Sequence, residues 1–513
     1  MPMSALRPRL AAPGFQALAL MAALIGLPAA AEPVHVALDS GRLSGSADGP
    51  VMSFKGVPYA SPPVGPLRWR PPQPAQAWTG ERDAAAFGPK CPQAGQAEGA
   101  APAQSEDCLT LNVWAPAHVE HPAPVMVWLH GGGNRGGASS GRYYDGTSFG
   151  RDGVVLVSLN YRLGPLGFFA HPALTAEAAG DQPLANYGLM DQIAALQWVR
   201  RNIRVFGGDP DNVTVFGESA GGVDVLSLLT APAARGLFAK AIVESGGLFE
   251  HPETLQQSQV TGARIATALG LNGASATAAQ LRALPADALV KQEIYGDGPI
   301  IDGRLLRQDV TAAFSRGEVP SIPLIIGYNS NEGSLMEDDP SRSAELLSEF
   351  TAAQLAAAHQ AYPEAADDAA LAHALFRDSH FAFPAWWIAG HAPKGAPVYL
   401  YRFGYIRVRQ RGRMTGANHG AEIPYVFDSW SQSPGGGVFM TDSERAEASL
   451  VHGCWVAFAR TGARACPPAP AWPRAIAEDP QLMVFATDAT TVAKADRRQL
   501  DLIAPHAPVG DRR

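Results

Sequence analysis

Apolar and polar residues follow two different periods along this chain. "VMVWLH" (125–130) and "VVLVSLN" (154–160) are short apolar, β-branched runs bounded by glycines, which predicts buried strands. "NVTVFG" (212–217), "AKAIVES" (239–245) and "PLIIGYN" (323–329) repeat that pattern. Between them, "LMDQIAALQWVRRNI" (189–203) spaces its apolar residues as a helix does, and "AGGVDVLSLLT" (220–230) looks helical directly after a strand. Alternation of this kind predicts an α/β fold: a mostly parallel central sheet with helices on both faces. Two alanine-rich stretches, about 252–292 and 341–395, interrupt it and predict helical cap insertions over one end of the sheet. Earlier, "GRLSG" and "VMSFKGVPYA" predict short strands around a glycine turn, and the proline-rich "PPVGPLRWRPPQPAQ" predicts loop.

The first 31 residues read differently. Arg7 and Arg9 precede the apolar run "FQALALMAALIGL", and Ala29 and Ala31 suit a small-residue cleavage site before Glu32. This predicts a signal peptide over 1–31 and an exported chain over 32–513, secreted or periplasmic. The apolar run is short for a membrane span, and no later segment has the length of one. Composition then narrows the partners. The chain is 46% hydrophobic and 17% charged with a net charge of -8, which fits a large globular core and argues against general nucleic-acid binding. Four cysteines allow three pairings. An oxidising compartment favours Cys91 with Cys108 and Cys454 with Cys466, each closing a short loop, with free thiols as the alternative for the second pair.

The chemistry concentrates in two glycine-rich motifs. Gly217-Glu218-Ser219-Ala220-Gly221 is a G-x-S-x-G pattern between a predicted strand and a predicted helix. That is the context of a nucleophile elbow, a turn too tight for flanking side chains, which lifts the serine hydroxyl to the top of a sheet. Serine is a weak nucleophile and needs a base, and an attacked carbonyl needs donors for its developing charge. "HGGG" (130–133) follows a strand upstream of the elbow, where an oxyanion loop belongs. The N–H groups of Gly132, Gly133 and Ala220 are the candidate donors. His419 with Glu422 spells H-x-x-E, but a metal site needs further ligands, so neither a metal nor an organic cofactor is expected.

With these motifs in place, the chain resembles the type-B carboxylesterases, the family of cholinesterases and bacterial p-nitrobenzyl esterases. "FKGVPYASPPVGPLRWRPPQP", "SEDCLTLNVW", "NYRLGPLGF", "FGGDPDNVTVFGESAGG", "GYNSNEGS" and "HGAEIPYVF" follow the family's order over most of the chain. The resemblance implies an α/β-hydrolase fold and a triad of Ser219, Glu332 and His419. It also implies pairs of Arg68 with Glu106 and Arg162 with Asp191, a Cys91–Cys108 disulfide, and an acidic pair, Glu218 and Glu422, near the base. Without it, Asp302 and Asp378 compete with Glu332 for the acid role. The sequon at Asn212 overlaps the strand entering the elbow and reads as structural.

Three departures stand out. Asp224 and Gly247 occupy positions where the family often has serine, and both are expected beside the acidic network around the base. Asn134 and Arg135 follow "HGGG" where an aromatic is common; both, with Glu218, are candidate substrate-binding residues, Arg135 for a substrate carboxylate. "RVRQRGR" puts Arg407, Arg409, Arg411 and Arg413 at alternate positions ahead of His419. Read as an extended chain, they share one face and would steer anionic substrate inward, or else form a solvated edge. The expected function is that of a serine carboxylesterase acting on a small-molecule ester through an acyl-serine intermediate. Tricarballylate esters of the fumonisin type are the sharpest substrate candidate. A broad esterase for small neutral esters and a non-catalytic, cholinesterase-like binding protein are the alternatives.

Overall fold

The computed structural model describes residues 32–95, 103–247, 252–292, 298–336, 339–430, 439–462, 465–476, 479 and 481–507. The expected signal peptide lies outside them. Thirteen strands form one sheet: β1 Glu32–Ala37, β2 Arg42–Asp48, β3 Val51–Pro58, β4 Glu81–Asp83, β5 Thr110–Pro116, β6 Ala123–Leu129, β7 Val155–Leu159, β8 Gly208–Glu218, β9 Lys240–Glu244, β10 Leu324–Asn329, β11 Val398–Gly404, β12 Gln481–Ala486 and β13 Thr491–Lys494. Their order is β1-β2-β3-β5-β7-β6-β8-β9-β10-β11-β12-β13, with β4 beside β2. From β7 through β12 neighbouring strands run parallel, and the antiparallel pairs lie toward the two edges.

The apolar runs are continuous because the parallel strands are buried on both faces. On β6, Val125, Val127 and Leu129 join one core cluster while Met126 and Trp128 join the other. One-face burial would have forced a polar residue at every second place. The helices Tyr187–Asn202 and Ala220–Thr230 form where helical spacing predicts them. The alanine-rich stretches contain the helices Leu255–Ala268, Ala278–Arg282 and Ala286–Val290, then Pro340–Ser348, Ala352–Ala361, Asp368–Arg377 and Phe383–His391. A short π-helical segment, Asp378–Ala382, separates the last two. The proline-rich stretch is loop apart from one 3-10 turn at Gly65–Leu67.

Both expected disulfides form, Cys91–Cys108 and Cys454–Cys466, so the second pair is not free thiols. Arg68 pairs with Glu106 at 2.5 Å, and Arg162 meets buried Asp191 through two side-chain bonds of 2.8 Å. Among the described residues, no helix is long and apolar enough to cross a membrane.

Candidate active site

The three residues of the expected triad stand just past the carboxyl ends of parallel strands, where open α/β sheets present their ligand sites. Ser219 follows β8 and holds φ 58° and ψ -128°, a region that costs a non-glycine residue roughly 1–3 kcal/mol. Its N–H donates to the Glu244 carbonyl at 2.9 Å. The flanking glycines are required by space. A Cβ on Gly217 would lie 2.6 Å from the Gly221 carbonyl carbon, and one on Gly221 would lie 2.1 Å from the Leu129 oxygen. The helix after Ser219 therefore packs directly against the end of β6.

Glu332 begins a 3-10 turn after β10 and is fully buried. Its Oε2 accepts a 2.6 Å hydrogen bond from His419 Nδ1. Its Oε1 accepts from the Ser245 hydroxyl at 2.6 Å and the Asn329 N–H at 2.7 Å. His419 lies in the loop after β11, and its backbone N–H donates to Ser334 Oγ at 3.0 Å. The competing acids are occupied elsewhere. Asp302 accepts backbone N–H groups of Leu184 and residues 304–306, and Asp378 pairs with Arg377 and Tyr362.

The second imidazole nitrogen reveals a feature that motif reading left open. His419 Nε2 is 3.2 Å from Glu218 Oε1, out of hydrogen-bonding alignment, and among the described residues it has no hydrogen-bond partner. No hydrogen bond joins it to Ser219 Oγ among those residues; such bonds often tighten only when substrate is bound. Glu218, Glu244, Glu332 and Glu422 are all buried. Burial alone would lower the His419 pKa, but the Glu218 charge and the Glu332 hydrogen bond and charge raise it overall. Burial raises the pKa of Glu218 and Glu422, as does the proximity of other carboxylates. Glu422 accepts from Asn329 Nδ2, and Glu244 accepts from Trp455 Nε1 at 2.7 Å. Among the described residues, no group of three or more His, Cys, Asp or Glu is arranged to hold a metal ion.

The glycine loop approaches from the other side. A Cβ on Gly131 would lie 2.6 Å from the Glu218 oxygen and 2.9 Å from Ser219 Cβ, so this loop rests on the elbow. Gly132 and Gly133 are exposed, with φ of 112° and 63°. Among the described residues their N–H groups and that of Ala220 donate to no backbone carbonyl.

The departures resolve differently from expectation. Asp224 is not wired into the network around the base. It accepts from Asn134 Nδ2 at 3.1 Å and from Gln192 Nε2 at 2.6 Å, because the helix carries it back under the glycine loop. Gly247 leaves room for the neighbouring π-helical segment: a Cβ there would lie 2.7 Å from the His380 carbonyl oxygen and 2.8 Å from Phe381. Phe381 in turn sets its ring 5.7 Å from that of His419. Arg135 is exposed. Asn212 is held through both ends of its amide, by Lys240 and the Arg460 carbonyl, in keeping with a structural role.

The arginine run is not an extended strand. β11 ends at Gly404, and Val408–Gln410 form a 3-10 turn, which destroys the alternation of side chains. Arg407 leaves the series to pair with buried Glu444 at 3.3 Å and lie 4.4 Å over the Trp430 ring. Arg409 sits 4.4 Å over Phe439, Arg411 donates to the Ile406 carbonyl, and Arg409, Arg411 and Arg413 are exposed. A buried carboxylate 37 residues on, in the helix Asp442–Thr461, claims the first arginine. Ser245, Asn329, Ser334 and Gln192 were not singled out from the sequence, where single polar residues carry no spacing signal.

Comparison with known proteins agrees with this geometry. The sequence profile of the Carboxylesterase family matches residues 32–502. The chain is 38% identical to "Fumonisin B1 esterase" of Sphingopyxis macrogoltabida over 467 residues, covering 85% of this chain and 83% of that protein. It is 37% identical to "Para-nitrobenzyl esterase" of Bacillus subtilis (strain 168), covering 82% of this chain and 88% of that protein. A solved PNB esterase structure superposes with a TM-score of 0.78 at 34% identity, covering 91% of this chain and 99% of that one. With sheet order, motif order and similarity over more than four-fifths of the chain in agreement, the chain is a carboxylic ester hydrolase and belongs to the carboxylesterase family.

Proposed function

We propose that hydrolysis runs through an acyl-enzyme on Ser219, with His419 as general base and acid and Glu332 as its orienting partner. Ser219 Oγ attacks the ester carbonyl carbon as its proton passes to His419 Nε2. The carbonyl π pair moves onto oxygen, and the N–H groups of Gly132, Gly133 and Ala220 stabilise that charge. Collapse expels the alcohol, protonated by His419. Water, deprotonated by His419, then attacks the acyl-serine and releases the acid. The observation that carries this reading is the 2.6 Å bond from His419 Nδ1 to Glu332, which fixes the proton on Nδ1 and leaves Nε2 free to accept. Ser219→Ala should abolish turnover of p-nitrophenyl acetate while leaving the melting temperature near that of the wild type; retained turnover would place the nucleophile elsewhere.

For substrate we favour an ester that carries free carboxylates. Similarity to a fumonisin B1 esterase supports this, as does exposed Arg135 next to the glycine loop. The turn at 408–410 removes the four-arginine face from that case. Small neutral esters are the second reading, supported by equally strong similarity to a para-nitrobenzyl esterase. A panel of neutral, mono-anionic and poly-anionic esters separates the two: Arg135→Ala should raise KM for anionic members only, and equal effects across the panel would favour the second. We also read residues 1–31 as an export signal, in keeping with two disulfides, which persist in oxidising compartments.

A further inference from the structure

Asp224 is a buried carboxylate with no cation among its hydrogen-bond partners. Both Asp224 and Gln192 are 0% exposed and Asn134 is 2% exposed. A carboxylate only accepts, so both carboxamides must turn their nitrogens toward it, and Asn134 Oδ1 and Gln192 Oε1 are left without partners among the described residues. Burial pushes the Asp224 pKa up to about 7 against the pull of these two bonds. Such an arrangement costs stability that a hydroxyl or an apolar side chain would not cost.

Its position suggests what that cost secures. Asp224 lies on the helix that begins immediately after Ser219 and whose first N–H is that of Ala220. Asn134 directly follows the three glycines of the opposite loop and is itself in the left-handed region, at φ 54°. Its carbonyl accepts from the Gly164 N–H at 2.6 Å. The Gly132 carbonyl accepts from the Arg135 and Gly136 N–H groups at 3.1 and 3.0 Å, which closes the glycines into a turn; where that turn and its N–H groups sit relative to the elbow depends on the residues that tie it outward. Asn134 is such a residue, fixed at its carbonyl and at its side chain.

We infer that Asp224 is a positioning residue for the oxyanion loop: through Asn134 it ties the glycine N–H donors to the helix that carries Ser219 and Ala220. This rests on the reading of Gly132, Gly133 and Ala220 as donors to the oxyanion. The tie sets one distance, between the donors of the loop and the donor of the elbow, on which the fit to a tetrahedral oxygen depends. It makes no contact with substrate, so ground-state binding is indifferent to it.

The test is a variant series assayed on one neutral ester. Asp224→Ala should lower kcat by about 10- to 100-fold with KM within about twofold. It should weaken inhibition by a trifluoromethyl ketone, which forms a tetrahedral adduct, by the same factor as kcat/KM. Asp224→Asn should restore most of the loss, since an amide still offers one acceptor and one donor and either partner can flip. Asn134→Ala should match Asp224→Ala, and the double variant should be no worse than either single one. Gln192→Ala, which shares Asp224 but does not reach the loop, should lower the melting temperature and leave kcat within about twofold. A fall in melting temperature without a fall in kcat for Asp224→Ala overturns the tie, as do multiplicative effects in the double variant. Those outcomes, in a protein that Ser219→Ala inactivates, leave the nucleophile reading standing; activity surviving Ser219→Ala overturns that reading instead.

Discussion

Two loops converge on Ser219, and they are held by opposite means. The glycine loop at 130–137 is placed by missing side chains and, among the described residues, by the hydrogen bonds of Gln93 to Gly137 and of Asn134 to Asp224. The base loop after β11 is placed by charge: His419 sits between Glu332 at 2.6 Å and Glu218 at 3.2 Å, with Glu422 close behind. The first loop offers donors whose geometry must not move. The second carries a proton on His419, so it needs negative charge held beside the imidazole to stabilise its protonated form.

Substitutions can break this contrast from either side, and the largest effect belongs to the charged loop. Glu332→Gln keeps the size of the side chain and an acceptor for Ser245, yet removes the charge that stabilises the imidazolium. We expect kcat to fall by about 10⁴-fold with little change in KM, and a fall below about tenfold would move the acid role to another carboxylate. On the steric side, Gly131→Ala should reduce kcat by about 100-fold, because the new Cβ must push the loop off Glu218 and Ser219. Gly136→Ala in the same loop meets only Gln93 Oε1 at 3.3 Å and should be nearly silent. Similar losses in both would mean that the loop needs glycine for flexibility rather than for close approach.

A smaller effect distinguishes the role of Glu218. Its charge raises the pKa of His419, so Glu218→Gln should lower it and keep the base unprotonated to lower pH. The acid limb of kcat/KM should therefore move down by roughly one unit or more; an unmoved limb would mean that Glu218 does not carry charge beside the base in the working enzyme. The smallest effects lie in the arginine run. Arg409→Ala and Arg411→Ala should leave kcat/KM for a neutral ester within about twofold, since both residues are exposed. Arg407→Ala should cost about 1–2 kcal/mol of stability in a thermal melt, because it leaves buried Glu444 without its ion pair.

How legible the site was depended on the range of the forces that set each part. The elbow and the glycine loop are local: Gly217, Gly221 and Gly131 are demanded by clashes with backbone near them in space, and those clashes recur wherever a strand turns sharply into a helix. They leave a compact pattern in the sequence. His419 and Glu332 stand 87 residues apart, and their pairing was legible only through resemblance to a family. Ser245 and Asn329, which complete the shell of Glu332, left no pattern at all. Asp224 stands out by its identity, but its neighbours are Asn134 and Gln192 rather than the carboxylates around the base, because the helix register decides which face it presents. The arginines misled in a similar way. Alternation of side chains follows from extended backbone, and the backbone there turns.

The sequence by itself determined the strands β2, β3 and β6 to β10, two of the helices that flank them, the strand–turn–helix at Ser219 and the run of glycines at 130–133. Continuous apolar runs, helical spacing and steric need for glycine act over a few residues and hardly depend on distant context. Only the tertiary structure decided which buried carboxylate faces His419 Nε2, which one anchors the oxyanion loop through Asn134, and which arginine is taken up by Glu444. Those are contacts between segments far apart in the chain. Burial sets their strength, and it is the packing of the whole sheet that removes the water.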